Sequence, residues 1–264
     1  MKALITGASS GMGRDMAEIL SKQGYDLVLV ARQEDKLIEL KNKLSTNVKV
    51  ISLDLSTPTA CYDLYEQTKN DDIDILINNA GFAAFGEFDK VPLETELNLI
   101  DLNIKAVHIL TKLFLKDFKK KNSGYILNVA SSAGVLGGGP LLSSYYASKA
   151  YVVKLSEAIY EELRREKSKV SISILCPGPV DTNFNNRAGV SFAFSGLKSS
   201  DVSAYALKEM FNKKLLIYPG IKVKLGIFFR KFASEKFLLK LTYDFQKSKG
   251  WDFKPLLKIM VESS

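Results

Sequence analysis

Short apolar runs of strand length alternate along this chain with longer stretches in which apolar residues recur every three or four positions. The first pattern fits strands covered on both faces, the second amphipathic helices packed against them, so the alternation predicts βαβ units around a parallel sheet. Seven strands are expected, at Ala3–Thr6, Leu27–Val30, Lys49–Leu53, Ile73–Ile77, Tyr125–Val129, Ser171–Leu175 and Leu215–Tyr218. Helices are expected between them, over Gly13–Gln23, Gln33–Lys43, Thr59–Lys69, Glu94–Lys121, Tyr145–Arg165 and Asp201–Phe211. The stretch Thr182–Ser200 has no period and is rich in Asn, Gly, Ser and Phe, which predicts a long loop, with 183–200 as a lid. Beyond 220 basic and large apolar residues interleave, and 220–264 is expected to be a basic, amphipathic C-terminal helical extension. The fold class predicted is α/β, doubly wound, with helices on both faces of a seven-stranded sheet and one domain over 1–264.

Composition narrows this only a little. With 264 residues, 46% hydrophobic and 25% charged, the chain matches an ordinary globular protein and excludes a disordered, collagen-like or disulfide-framework one. Cys61 and Cys176 stand far apart in no metal-ligand spacing, so both are expected to be small buried hydrophobes, and no metal is expected. The first strand begins almost at Met1, leaving no room for a secretion signal, and no run of 18 apolar residues occurs. The expected placement is cytoplasmic, or peripheral to a membrane. Charge is more informative by position than by total. From Lys213 to Lys249 there are ten Lys/Arg against two acids, which accounts for the whole net charge of +8.

The first strand runs into Thr6-Gly7-Ala8-Ser9-Ser10-Gly11-Met12-Gly13 and then a helix. Glycines there permit positive φ and close backbone approach to a pyrophosphate, and the free N–H groups of the helix start receive the negative charge. This is the setting of a Rossmann-type dinucleotide site. At the end of the second strand an acid would bond the ribose hydroxyl of NAD, whereas a basic side chain would pair with the 2′-phosphate of NADP. The strand ends on Arg32, whose planar fork suits a phosphate, so NADP(H) is favoured over NAD(H); a solvent-facing Arg32 or tolerance of both cofactors are the alternatives. Tyr145 and Lys149 stand at i and i+4 on one helical face, where the ammonium is expected to lower the phenol's pKa and poise it as an acid or base. Tyr146 is rotated away by roughly 100°.

Together with Asn78-Asn79-Ala80-Gly81 and Ser131-Ser132, these segments resemble the short-chain dehydrogenase/reductase family from Met1 to about Gly220. The resemblance implies strand order 3-2-1-4-5-6-7 and a catalytic set of Asn103, Ser132, Tyr145 and Lys149, with Ser132 preferred to Ser131 because it lies thirteen residues before Tyr145. It implies that Gly7, Ser9, Ser10, Gly11, Met12 and Gly13 hold the pyrophosphate, that Asp54 holds the adenine, and that Asn79, Ala80 and Gly81 support the adenosine side. Pro177, Gly178, Val180 and Thr182 would grip the carboxamide. Hydride would pass between nicotinamide and a carbonyl carbon while Tyr145 gives a proton to the oxygen, Ser132 bonds that oxygen, and Lys149 also holds the ribose. A homodimer or homotetramer is implied as well. The sole histidine, His108, is better read as packed or at the surface than as a catalyst.

The segments expected to flank the pocket are apolar: Phe82-Ala83-Ala84-Phe85, Val135–Leu142, and the lid with Phe184, Phe192 and Phe194. A hydrophobic ketone or aldehyde follows, whether acyl, steroid-like or xenobiotic, or the matching alcohol. Basic and apolar residues over 220–249 suit a helix on an anionic membrane surface, and equally one that caps the pocket or packs on a partner subunit. Nucleic acid has no recognition motif to support it. The other reading of the whole is a non-catalytic cofactor-binding or membrane-peripheral scaffold on the same fold.

Overall fold

The computed structural model describes residues 1–182, 196–230 and 232–247. Phe184, Phe192, Phe194 and most of the expected lid lie outside the described residues, as does 248–264. Strands β1 (Lys2–Thr6), β2 (Asp26–Ala31), β3 (Val48–Ser52), β4 (Ile73–Asn78), β5 (Tyr125–Val129), β6 (Ser171–Leu175) and β9 (Leu216–Ile217) form one parallel sheet in the order β3-β2-β1-β4-β5-β6-β9. This is the seven-stranded doubly wound sheet expected, reversing direction of growth between β1 and β4. Two further strands were not foreseen: β7 (Val180–Asp181) and β8 (Leu197–Lys198) pair in parallel as a separate ribbon.

Strand alternation decides which face each side chain serves. In β1, Ala3 and Ile5 join a core with Met16, Ala17 and Leu20 of helix α1 (Gly11–Lys22) and with Val202, Ala206 and Met210 of helix α7 (Ser199–Phe211). Leu4 turns to the opposite core, beneath helices α3 (Pro58–Thr68) and α5 (Val107–Lys120), where Phe114 and Phe118 are fully buried. Helix α2 (Glu34–Lys41) and the long helix α6 (Ser143–Arg165) complete the layers.

The helix expected over Glu94–Lys121 is continuous but not uniform. Helix α4 (Leu93–Ile100) passes through a π-helical stretch, Asp101–Ala106, before α5 resumes. Such widened turns are frequent at functional sites, and Asn103 lies inside this one. Past β9, helices α8 (Ile221–Arg230) and α9 (Glu235–Lys247) form the extension.

Candidate active site

The loop from β1 to α1 is built to leave its donors free. Gly7 has φ +67°, a region closed to most side chains, and a Cβ on Gly13 would lie 2.5 Å from both the Gly7 carbonyl oxygen and Asn79 Nδ2. Asn79 fastens this turn: its Nδ2 donates to the carbonyls of Thr6 (3.0 Å) and Gly7 (3.2 Å), while its N–H and that of Ala80 donate to Thr6 Oγ1 at 3.0 Å. The N-cap of α1, Ser10, makes no side-chain cap, and the first turn holds no acid. The first N–H groups of a full-length helix therefore face outward beside backbone no Cβ obstructs, which fits a dinucleotide pyrophosphate. Thr182 comes down over this cradle, its Cγ2 lying 3.1 Å from where a Cβ on Gly11 would be.

At the carboxyl ends of β4 and β5 the chemistry-bearing groups converge. Gly81 brings two of them together, since a Cβ there would sit 2.8 Å from Asn103 Oδ1 and 3.4 Å from Lys149 Nζ. Asn103 is fully buried and bonds the Phe82 backbone both ways, accepting from its N–H at 3.1 Å and donating to its carbonyl at 2.8 Å. Its amide also donates to Ser148 Oγ at 3.1 Å. Lys149, 4% exposed, donates to the Val129 carbonyl at 2.9 Å and lies 5.8 Å from the Tyr145 ring centroid.

Two observations bear on the expected roles here. The serine hydrogen-bonded to the Tyr145 hydroxyl is Ser131, not Ser132. Ser131 caps the short 3-10 turn Ser132–Gly134, accepting from the Ala133 N–H at 3.1 Å, while Ser132 uses its backbone N–H on the Pro177 carbonyl at 2.8 Å. A count of thirteen residues assumes a fixed loop length, and this loop places the bonding serine fourteen residues before the phenol. The capping role of the first serine after a strand was the signal that could have found it. Second, Lys149 does not acidify Tyr145 in the chain by itself. Burial pushes the phenol up to about 12, with the Ser131 hydrogen bond pulling the other way. Burial also draws Lys149 down to about 8. The ammonium is aimed at a carbonyl rather than at the phenol oxygen, so desolvation outweighs it.

Behind this cluster lies a polar network that the sequence did not reveal. Asn78 Nδ2 donates to Asn128 Oδ1 at 2.8 Å and Thr111 Oγ1 at 3.0 Å, and Asn128 Nδ2 donates to Ser156 Oγ at 2.9 Å. Spanning β4, β5, α5 and α6, it fixes how α6 and its Tyr145 stand over the sheet. At the far edge Arg32 and Asp54 form an ion pair of 3.5 Å with both side chains exposed. Such a pair contributes little to stability, so Arg32 can leave it for a stronger anion. Cys61 and Cys176 are both free and buried, and His108 pairs with the Tyr151 hydroxyl at 2.8 Å, away from the site.

The walls around Tyr145 are apolar: Ala83, Phe85, Leu142 and the ring of Tyr146 cluster with it. The extension closes one side, with Leu238 and Leu239 of α9 against Gly137 and Gly138 and Gln246 Nε2 donating to the Tyr146 hydroxyl at 3.2 Å. Among the described residues no helix is long and apolar enough to cross a membrane, and no three His, Cys, Asp or Glu side chains gather to hold a metal.

Comparisons with known proteins agree with this geometry. The family model for short chain dehydrogenase matches residues 1–190. The 7beta-hydroxysteroid dehydrogenase of Mediterraneibacter gnavus is 29% identical over 216 residues, covering 80% of this chain and 81% of that protein. A short-chain dehydrogenase from Sphingobium yanoikuyae, solved in complex with NADPH, superposes with a TM-score of 0.77 at 31% identity over 83% of this chain and 88% of its own. One from Burkholderia phymatum, in complex with NAD, does so at 0.80 and 25% identity over 88% and 92%. The chain therefore belongs to the short chain dehydrogenase family, nicotinamide-dependent oxidoreductases acting on CH–OH groups.

Proposed function

We propose that this chain is an NADP(H)-dependent reductase of bulky, apolar ketones or aldehydes, with Asn103, Ser131, Tyr145 and Lys149 as its working set. The observation that carries the reading is the Tyr145–Ser131 pair, set among apolar side chains beside Lys149. Bound nicotinamide supplies the hydride in reduction and takes it back in oxidation.

The chain's own part is proton handling and alignment. A phenol held at about 12 is fully protonated at neutral pH, so Tyr145 is ready to donate its proton to a carbonyl oxygen as charge develops there. Ser131 bonds the same oxygen, anchored by the Ala133 N–H. Preorganised donors of this kind are worth roughly 3 kcal/mol each. The same phenolate ends the proton donation in reduction and begins the proton uptake in oxidation, so burial raises the cost of that state in both directions. Asn103 positions the Phe82 backbone at the substrate side.

For the coenzyme, Gly7, Ser9, Ser10, Gly11, Met12 and Gly13 would hold the pyrophosphate, and Asn79, Ala80, Gly81 and Asp54 the adenosine side. Tyr145 and Lys149 would meet the nicotinamide ribose, and Pro177, Gly178, Val180 and Thr182 the carboxamide. Arg32, exposed and only weakly held by Asp54, supports a 2′-phosphate and hence NADP(H). The apolar set Ala83, Phe85, Leu142 and Tyr146 supports a greasy substrate, as does the steroid named for the Mediterraneibacter gnavus relative. Exposed Leu93 and Leu97 on α4 support a homodimer or homotetramer. A non-catalytic scaffold would have no use for a buried lysine beside a bonded phenol.

The test is oxidation of NADPH followed by absorbance against a panel of ketones and aldehydes of increasing bulk, with Tyr145→Phe as control. Turnover rising with apolar bulk and lost in the Phe variant is expected. Equal rates in both proteins would end the proton-donor assignment.

A further inference from the structure

Helix α8 carries its apolar residues on the wrong side for a core. Ile221 (67% exposed), Leu225 (45%), Phe228 (54%) and Phe232 (74%) follow one another at spacings of four, three and four residues, so they share one face of the helix and its following turn. At the C-terminal end of this face the rings gather, with the Phe228 ring 5.4 Å from Phe232 and 5.5 Å from Phe229. The opposite side of α8 is what holds it to the molecule. Val223 lies 2.9 Å from where a Cβ on Gly178 would be, and the Arg230 guanidinium donates to the Val135 carbonyl. The outer face is therefore not a by-product of a loosely attached helix.

Charge identifies what it fits. Residues 221–230 include Lys222, Lys224 and Arg230 and no acid, within a segment holding ten basic residues and two acids while the rest of the chain is balanced. A second copy meeting this face about a two-fold axis would press two such positive segments together. A surface that is apolar below and anionic above complements it instead. We propose that the face of Ile221, Leu225, Phe228 and Phe232 docks the protein on an anionic lipid bilayer, the four side chains entering the acyl boundary and the surrounding lysines meeting the phosphate and carboxylate headgroups. Helix α8 touches Gly178, in the segment proposed to hold the carboxamide, and Val135, at the start of the apolar stretch Val135–Leu142, so docking would set the proposed pocket beside the lipid. That last consequence rests on the reductase reading; the docking itself does not.

The full chain is sedimented with vesicles of phosphatidylcholine alone and of phosphatidylcholine with about a third phosphatidylserine. Strong pelleting with the serine lipid is expected, at least ~10-fold weaker on the neutral vesicles, in ~0.5 M salt, and in the Phe228→Ser/Phe232→Ser variant. The variant should keep the parent's melting temperature and its turnover of a small water-soluble ketone. Equal pelleting by parent and variant, equal pelleting on both vesicles, or no pelleting of the parent overturns the proposal. So does a fall in the variant's solution mass, which makes the face a subunit contact. A parent that pellets yet reduces no carbonyl leaves docking intact and sinks the reductase reading; the reverse result does the opposite.

Discussion

Lys149 Nζ donates to the Val129 carbonyl at 2.9 Å while standing 5.8 Å from the centre of the Tyr145 ring. The two side chains share a helical face, yet the cation is tied to the strand below the phenol and not to its oxygen. Each is shifted by burial, in opposite senses: the amine falls to about 8 and the phenol rises to about 12.

The lysine shift has a thermodynamic sign. In the unfolded chain Lys149 stays charged up to about pH 10.5, and in the fold only below about 8, so between those values the unfolded state binds the extra proton. Stability therefore rises with pH across that window, and below it the fold carries the full penalty, about 3 kcal/mol. Urea unfolding of parent and Lys149→Met at pH 7.5 and pH 10 checks this. The parent should gain on the variant by up to about 3 kcal/mol at the higher pH, and a constant difference refutes it.

Ser131→Ala should lower kcat by about 100-fold or more with little change in KM, because it removes a donor aimed at developing charge. Ser132→Ala, whose contact with Pro177 is made by backbone, should stay within a few-fold of the parent. Steady-state kinetics with one ketone decides between the two serines, and the opposite ranking would restore the thirteen-residue assignment.

Arg32→Ala should weaken NADPH binding by about 10- to 100-fold, the worth of a charge-assisted bond, and leave NADH binding nearly unchanged. Fluorescence titration of both reduced coenzymes gives the ratio. Parallel losses for the two would show that Arg32 does not discriminate between them.

Gly13→Ala should act on both coenzymes alike. Its Cβ would lie 2.5 Å from the Gly7 carbonyl oxygen and from Asn79 Nδ2, so the cradle must open to admit it. A loss of affinity of at least ~10-fold for NADPH and NADH, with secondary structure by circular dichroism retained, is the expected result. Full affinity for either coenzyme would mean that the turn yields without harm.

Local signals carried most of the fold. Apolar runs located all seven strands of the sheet to within a residue or two, because a strand buried on both faces has little choice of composition. The glycine turn and the Tyr145–Lys149 spacing were legible for the same reason: each is set by geometry within a few residues. What escaped was settled by distant contacts. The Ser131 pairing depends on the length of the whole connection from Ser131 to Tyr145, the π-helical stretch holds the Asn103 that reaches the Phe82 backbone, and the Gln246–Tyr146 bond joins residues 100 positions apart. The Asn78–Asn128–Ser156 chain was invisible because buried asparagines look, in sequence, like any other polar residue.

The small ribbon of Val180–Asp181 with Leu197–Lys198 has a consequence for how this molecule can change. It ties Val180 and Asp181, next to the Pro177–Gly178 segment proposed to hold the carboxamide, to the two residues that lead directly into helix α7. A shift of α7 would therefore reach the nicotinamide end of the coenzyme through backbone pairs alone, so substitutions far from Tyr145 can retune how the ring sits.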